Sequence, residues 1–310
     1  MSRKVRISTI SFLLGNGTKT RADRFDQALR YLADAAEDGP DLILLPELYE
    51  TMGTRESAEI KQIEDPDQRR AAMLASAEEE DGPFSTRLSE FASEHAIIVV
   101  SNHLIREGGR YFNQATFFGR QGDIVGRYRK VQLTVGEYEG SGITPGDDLD
   151  VVEIEGVRYG TFICNDQAFP EICQVYALQG ADVLLHPTQA AGPTETIRSE
   201  MLRTRAHDAS CYLVTSTFLQ DRHLSWQHRE SRATICDYNG YTLAETGYRE
   251  GHATATLDLE ERRWTSWCPD GDHGESIRRQ HRADLYSRYY GELSKGKENM
   301  VPARTDSDAS

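Results

Sequence analysis

The amino-acid sequence predicts an α/β fold in which strands form a sandwich and helices lie outside it. Strand and helix patterns alternate along the chain: residues 5–10 have the pattern of a strand, and residues 21–37 carry apolar side chains at helical spacing. Residues 111–119 and 124–130 flank a turn that contains Gly122, which is typical of a hairpin. Helices that alternate with strands, together with hairpins, favour a layered α/β architecture.

The same patterns predict the remaining elements. A continuous apolar run that ends at Pro46 is typical of a buried strand. We find no linker and no short repeat, so we expect a single domain over residues 1–301 and a polar, disordered tail over 302–310. The other predicted elements are a strand at 41–45, partly helical residues 56–80, a helix at 84–95, a strand at 96–102, a hairpin of 149–154 and 157–163, a helix at 169–179, a strand at 181–185, a helix at 195–210, and strands at 212–217, 233–237 and 253–259.

The composition is that of a globular protein with a charged surface. Of 310 residues, 38% are hydrophobic and 27% are charged, and the formal net charge is −15. Nucleic acids and anionic membranes are negatively charged and bind positively charged protein surfaces, so an acidic chain is a poor partner for either. No apolar stretch approaches the roughly 20 residues that span a bilayer. We therefore expect a small-molecule substrate and neither a nucleic-acid nor a membrane partner.

The cysteines indicate a reducing compartment. Their number is odd, they are dispersed, and no two of them form a CxxC pair. This pattern argues against a disulfide framework and for a cytoplasmic protein. The cysteines are Cys164, Cys173, Cys211, Cys236 and Cys268.

Three residues that can carry chemistry follow predicted strands. Glu47 ends Leu-Ile-Leu-Leu-Pro-Glu, where partial burial would suit a general base. Lys130 ends Gly-Arg-Tyr-Arg-Lys, where an ammonium could stabilise an oxyanion. Cys164 lies between an apolar strand and a predicted helix, at an elbow that would expose a nucleophilic thiol.

Each of these residues alone has a simpler interpretation. Glu47 could be an acid on a surface loop, Lys130 a solvated charge at a sheet edge, and Cys164 an inert buried thiol. Together they supply the base, the electrophilic clamp and the nucleophile that acyl transfer needs. The nine histidines include no HExxH pattern, so we do not expect zinc hydrolysis. Acyl transfer by these three groups needs no metal and no organic cofactor, and we expect neither.

Three short motifs, taken in order, resemble the nitrilase superfamily of carbon–nitrogen hydrolases. They are Leu-Leu-Pro-Glu ending at Glu47, Tyr-Arg-Lys-Val-Gln-Leu around Lys130, and Ile-Cys-Asn-Asp around Cys164. The resemblance extends from residue 5 to about residue 290. It implies a four-layer αββα sandwich and assembly into homodimers or larger homo-oligomers.

The resemblance also implies roles for particular residues. Glu47, Lys130 and Cys164 would form the catalytic triad, and the backbone N–H of Asn165 would help Lys130 to hold the oxyanion. A second, supporting glutamate is expected shortly after the lysine. We expect it to be Glu137, with Glu139 as the alternative.

The substrate class follows from departures within the resemblance. Nitrile-active members resemble Cys-Trp-Glu at the elbow, whereas Cys-Asn-Asp here favours an amide or N-carbamoyl compound. N-carbamoyl-D-amino-acid hydrolases follow the elbow with two arginines that bind the substrate carboxylate. Gln167 and Ala168 occupy those positions in this chain, which argues against that substrate class.

Residues in the loops after the predicted strands are expected to line the substrate pocket. They are Tyr49, Glu139, His186, Thr188 and Gln189. Alternatives to the amidohydrolase are a nitrilase, a glutaminase module that serves a separate synthetase, and a catalytically inactive scaffold member.

Overall fold

The computed structural model divides the chain into two compact units, Met1–Glu261 and Arg262–Ser310. In the second unit, the described part consists of α7 (His273–Gln280), α8 (Ala283–Leu293) and neighbouring residues. The single domain over residues 1–301 stays a prediction, and the tail at 302–310 lies outside the described residues. The structure describes residues 3–15, 17–189, 195–219, 232–261, 272–293 and 295.

Twelve strands of the described residues form two sheets that join along one pair of strands. The first sheet contains β1 (Lys4–Leu13), β2 (Leu42–Leu44), β3 (Ile98–Glu107), β4 (Arg110–Phe118), β5 (Ile124–Arg129) and β12 (Gly251–Asp258). The second contains β6 (Val152–Ile154), β7 (Val157–Thr161), β8 (Val183–Pro187), β9 (Tyr212–Leu219), β10 (Thr234–Cys236) and β11 (Thr242–Glu245). The end of β1 pairs with the end of β9 and connects the sheets.

The centre of each sheet is parallel and its edges are antiparallel. The first sheet runs in the order β5-β4-β3-β2-β1-β12, with β1, β2 and β3 parallel. The second runs in the order β6-β7-β8-β9-β10-β11, with β7, β8 and β9 parallel. Parallel strands place their carboxyl ends at one edge of a sheet, where binding sites of α/β proteins commonly form.

Helices occupy the outer layers. The segment of residues 56–80, predicted as partly helical, contains two short helices. The α1 helix begins at a capping box, in which Thr20 and Asp23 satisfy each other's backbone N–H groups. The helices of the first unit are α1 (Arg21–Ala36), α2 (Arg55–Lys61), α3 (Pro66–Leu74), α4 (Pro83–His95), α5 (Pro170–Leu178) and α6 (Glu195–Ala209).

Three apolar clusters define the order of the layers. One cluster lies between the two sheets and includes Leu44, Phe117 and Leu185. A second packs α1 and α4 against the first sheet, and a third packs α5 and α6 against the second sheet. Helix, sheet, sheet and helix therefore follow one another, and the predicted four-layer αββα fold is confirmed.

Candidate active site

Glu47, Lys130 and Cys164 meet where the apolar cluster between the sheets ends. Glu47 follows β2 and is fully buried, while Lys130 follows β5 and is 2% exposed. Cys164 follows β7, packs against the same cluster and remains partly exposed. The two sheets thus contribute different parts of one site, with the acid and the lysine from the first sheet and the thiol from the second.

Lys130 lies between two carboxylates. Its Nζ donates to Oε1 of Glu47 at 2.9 Å, and to Oε1 and Oε2 of Glu137 at 2.8 and 2.9 Å. Thr134 adds its backbone N–H and its hydroxyl to Oε2 of Glu137. One ammonium is therefore shared by two carboxylates, and the second carboxylate is held by the turn that carries it.

The charges in this cluster stabilise one another. Burial alone would lower the pKa of Lys130, but Glu47, Cys164 and Glu137 outweigh it and raise that pKa. Burial would raise the pKa of Glu137, but Lys130 and hydrogen bonds from Thr134 and Asn113 lower it. Lys130 thus remains an ammonium and Glu137 a carboxylate near neutral pH.

Cys164 is held as a neutral thiol. Burial, followed by the charge of Glu47, raises its pKa to about 12, although Lys130 and a hydrogen bond with Thr188 act in the opposite direction. Its φ of 45° is left-handed, and a short 3-10 helix, Cys164–Ala168, begins there. The predicted elbow therefore contains this 3-10 turn before α5 begins at Pro170.

Asp166 joins the lysine segment to the thiol segment. Oδ2 accepts from the Tyr128 hydroxyl and the Ile163 N–H, both at 2.7 Å, and Oδ1 accepts from the Gln132 N–H at 2.8 Å. The Asn165 side chain adds a fourth bond, to the Gln132 carbonyl, at 3.0 Å. Burial raises the pKa of Asp166 to about 6, although these donors lower it. The segments that carry the lysine and the nucleophile are therefore held together by the Asp166 carboxylate and the Asn165 amide.

The family model for carbon–nitrogen hydrolases matches residues 13–266. The chain belongs to the carbon–nitrogen hydrolase family. The family and the enzyme class predicted from the sequence, a hydrolase of carbon–nitrogen bonds other than peptide bonds, are both confirmed.

Curated relatives of this carbon–nitrogen hydrolase include omega-amidases. The omega-amidase of Xenopus tropicalis is 27% identical over 297 residues, which cover 92% of this chain and 97% of the relative. The human omega-amidase is 26% identical over 280 residues, which cover 86% of this chain and 92% of the relative.

Solved structures with the same fold include two nitrilase-type proteins. Saccharomyces cerevisiae Nit3, a nitrilase-superfamily member, has a TM-score of 0.68 at 22% identity, covering 90% of this chain and 94% of its own. An amidase from Nesterenkonia sp. has a TM-score of 0.69 at 22% identity, and the match covers 92% of this chain and 96% of the amidase chain.

The predicted pocket residues of the hydrolase differ in their placement. Thr188 hydrogen-bonds with the Cys164 thiol, and the backbone N–H of Gln189 donates to Oε2 of Glu47 at 3.0 Å. His186 is fully buried and stacks on Phe162, with ring centroids 4.4 Å apart. His186 lies near the end of β8, and Thr188 and Gln189 follow that strand directly, so this strand end borders the thiol.

Tyr49 and Glu139 lie elsewhere. Tyr49, expected to line the substrate pocket, is fully buried and packs between Phe12 and Phe25 in the cluster under α1, away from the thiol. The physical reason is Leu48, whose left-handed φ of 47° turns the chain after Glu47. Glu139 is exposed on the turn Gly136–Gly140, whereas Glu137 from the same turn reaches Lys130.

Two asparagines next to the carboxylates were absent from the sequence-based site. Asn113 donates to Glu47 and Glu137, and Asn102 donates to Asn113. A polar amide among buried apolar residues of a predicted strand is a signal that could have found both. Which strands are neighbours, however, is not visible in one sequence.

The described ranges contain no group of three or more His, Cys, Asp or Glu side chains that could hold a metal ion. No helix within them is long and apolar enough to cross a membrane.

Proposed function

We propose that this protein hydrolyses the amide bond of a small molecule through a thioester on Cys164. Glu47 acts as general base and acid, and Lys130 stabilises the oxyanion. The observation that carries the proposal is the buried cluster in which one ammonium contacts two carboxylates beside a thiol at the ends of three strands. That cluster contains the groups that covalent acyl transfer requires.

Acylation begins with a neutral thiol. Because its pKa is raised to about 12, Cys164 needs a base, and Glu47 is its hydrogen-bonded carboxylate neighbour. As Sγ attacks the amide carbon, the thiol proton moves to Glu47 and the carbonyl oxygen becomes an oxyanion. Lys130 and the backbone N–H of Asn165 stabilise that charge.

Collapse of the tetrahedral intermediate breaks the carbon–nitrogen bond. Glu47 transfers its proton to the departing nitrogen, so ammonia or an amine leaves and a thioester remains on Cys164. Glu47 then takes a proton from water as the water attacks the thioester. The carboxylic acid departs and the proton returns to Sγ, so the steps balance without a metal ion or an organic cofactor. Glu137 holds Lys130 in place throughout.

Amides are the proposed substrates ahead of N-carbamoyl compounds. The named activities of the relatives, omega-amidase and amidase, support this choice. The arginine pair expected of an N-carbamoyl-D-amino-acid hydrolase is replaced by Gln167 and Ala168. Thr188 and Gln189, which border Cys164 and Glu47, are the proposed contacts with the acyl group.

We further propose a cytoplasmic protein that assembles into homodimers or larger homo-oligomers. No two cysteines within the described residues form a disulfide, which fits a reducing compartment. The oligomer is implied by the family resemblance. Light scattering of the purified protein tests it, because a mass of 34.9 kDa would contradict the assembly.

The test of the function is ammonia release from a panel of aliphatic amides, omega-amides, N-carbamoyl compounds and nitriles. Wild type is compared with Cys164→Ala and with Cys173→Ala, a matched control because Cys173 is buried under the second sheet in α5. We expect release from amides by wild type and by Cys173→Ala, and background release by Cys164→Ala.

Three other outcomes would change the assignment. Release from nitriles alone would identify a nitrilase, and no release from any compound would favour an inactive scaffold. Equal release by wild type and Cys164→Ala would contradict the mechanism.

A further inference from the structure

The carboxylates of Glu47 and Glu137 share a second donor besides Lys130. Nδ2 of Asn113 donates to Oε1 of Glu47 at 2.8 Å and to Oε1 of Glu137 at 3.0 Å. Asn113 is 1% exposed and lies on β4, on the face that turns toward the other sheet. Its NH2 group therefore connects the two carboxylates as a neutral counterpart of the lysine ammonium.

The Asn113 amide is oriented by a chain of hydrogen bonds with one direction. The backbone N–H of Leu48 donates to Oδ1 of Asn102 at 2.8 Å, and Nδ2 of Asn102 donates to Oδ1 of Asn113 at 2.9 Å. A backbone N–H can only donate and a carboxylate can only accept, so the two ends of the chain fix both amides between them. A flipped Asn113 would place its oxygen against two carboxylates.

The chain of hydrogen bonds begins at a constrained peptide. Leu48 has a φ of 47°, a left-handed conformation that is unfavourable for a residue with a Cβ atom. That conformation aims its N–H at Asn102, which is fully buried. The peptide immediately after Glu47 therefore helps to set the orientation of the Glu47 carboxylate through two intervening amides.

This arrangement gives the two oxygens of Glu47 different surroundings. Oε1 accepts from Lys130 at 2.9 Å and from Asn113 at 2.8 Å, which occupies both of its lone pairs. Oε2 accepts from the Gln189 N–H at 3.0 Å and retains a further lone pair. Oε2 is thus the oxygen that can take the proton of Cys164.

We propose that Asn113, oriented by Asn102 and the Leu48 N–H, is a positioning residue that reserves Oε1 of Glu47 for holding the side chain and Oε2 for proton transfer. The inference rests on the proposed role of Glu47 as general base. Asn113 acts through Glu47 and Glu137, and it does not contact the substrate.

The kinetic test compares Asn113→Ala and Asn113→Asp with Gln114→Ala. Gln114 is a matched control because it is the next residue on β4 and fully buried. Its amide bonds Glu80, Thr116 and Arg129, and none of the proposed catalytic side chains. We expect kcat to fall about 10- to 100-fold in both Asn113 variants while KM changes less than about threefold. Asn113→Asp keeps the shape but loses the donors, so it should be at least as slow as Asn113→Ala. In Gln114→Ala, kcat should stay within about twofold of wild type even where its melting temperature falls.

Crystal structures of wild type and Asn113→Ala provide a test that does not depend on substrate. We expect the Glu47 carboxylate to rotate in the variant, so that Oε1 moves away from the position it has in the wild type. If Asn113→Ala does not fold, the same kinetic and crystallographic measurements are made on Asn102→Ala. This variant removes the hydrogen bond that orients Asn113 but keeps the Asn113 side chain and its donors.

The outcomes separate this inference from the proposed function. An unrotated Glu47, or a kcat of Asn113→Ala within threefold of wild type, would overturn the role of Asn113. An equal loss of kcat in Gln114→Ala would do the same, because it would indicate a general effect of truncating β4. Wild-type turnover that does not need Cys164 would instead refute the proposed function, and the Glu47 rotation would still decide this inference.

Discussion

Lys130 is 2% exposed, and its ammonium is balanced by carboxylates on two sides. A buried charge of this kind is tolerated because each partner supplies hydrogen bonds as well as opposite charge. Removal of the ammonium would leave Glu47 and Glu137 facing each other without their shared counter-ion. The proposed reaction would also lose its charged oxyanion donor.

Lys130→Met tests the importance of this ammonium for turnover. A single oxyanion donor commonly contributes about 3 kcal/mol, so we expect kcat/KM on the best amide to fall at least about a hundredfold. Lys61→Met is the control, because Lys61 is exposed at the end of α2. Steady-state kinetics of the three proteins give the answer, and a loss below tenfold in Lys130→Met would contradict the assigned role.

The lowered pKa of Glu137 leads us to expect that the stability of the fold depends on pH. Its pKa is lower in the fold than the ordinary 4.5, because Lys130 and the neighbouring donors outweigh burial. Such a carboxyl stabilises the fold above pH 4.5, and this stabilisation is lost as the pH falls through the lowered pKa. We expect Glu137→Gln to have a lower free energy of unfolding than wild type at pH 7, and the difference to shrink below about pH 4.5.

Urea unfolding at several pH values measures this difference. The control is Glu139→Gln, an exposed acid on the same turn, for which we expect a difference near zero at every pH. A difference for Glu137→Gln that stays constant or widens in acid would disprove the linkage.

The residues that one sequence revealed are those with a local signal. Glu47 and Cys164 each follow an apolar run, Lys130 ends a predicted strand, and all three lie in short motifs. Asn113 lies in no such motif. Its partner Glu47 is 66 positions away, so the contact depends on which strands are neighbours. Tyr49 was expected in the loop after a predicted strand, but the left-handed Leu48 turns the chain, and Tyr49 packs in the apolar cluster under α1.

At the scale of elements, the site depends on the contact between the segment after β5 and the segment after β7. Asp166 accepts two hydrogen bonds across that contact, from the Tyr128 hydroxyl and the Gln132 N–H, and a third from the Ile163 N–H of its own segment. All three donors are satisfied by one buried carboxylate. Loss of that carboxylate would leave them without their acceptor and weaken the link between the lysine segment and the nucleophile segment, which would then depend on the bond from Asn165 to Gln132.

Asp166→Ala is therefore expected to lower both stability and turnover. A buried donor left without an acceptor costs about 1–3 kcal/mol, so the free energy of unfolding should fall by about 3 kcal/mol or more. We expect kcat/KM to fall at least tenfold in protein that remains folded, because Lys130 and Cys164 lose their common anchor. Chemical unfolding and kinetics at a permissive temperature measure the two effects.

Asp182→Ala is the control for Asp166→Ala. Asp182 accepts from the Arg3 side chain and the Arg158 N–H just before β8 begins, at the opposite end of that strand from Thr188. The Asp182→Ala variant should be less stable than wild type but have the same kcat/KM. A similar loss of kcat/KM in both variants would attribute the effect to general destabilisation.

Elements with strong periodicity were predicted closely, whereas three short elements were not predicted. The helix predicted at 21–37 is observed as Arg21–Ala36, and that predicted at 84–95 as Pro83–His95. The turn Gly136–Gly140, the 3-10 helix Cys164–Ala168 and the strand β11 are each five residues or fewer. Such elements depend on contacts with the rest of the molecule more than on local preference.

At the scale of the whole molecule, two sheets supply complementary halves of one site. The first sheet carries the charged cluster and the second carries the thiol, and the apolar cluster between them fixes their separation. This arrangement was not visible in periodicity. β1 pairs with β12, which lies about 250 residues later, and its end joins β9, so the pairings that build the layers are distant in sequence. The four-layer order was predicted from the family resemblance instead.

The central claim is that an acyl group is carried by Cys164, and mass spectrometry tests it most directly. Wild type and Cys164→Ala are mixed with a turned-over amide, quenched in acid during the first turnovers and analysed as intact protein and as peptides. We predict a mass increase equal to the acyl group, located on the peptide that contains Cys164 and absent from the variant. An adduct on another residue, or turnover with no adduct on Cys164 under conditions in which acylation outpaces hydrolysis, would contradict the account.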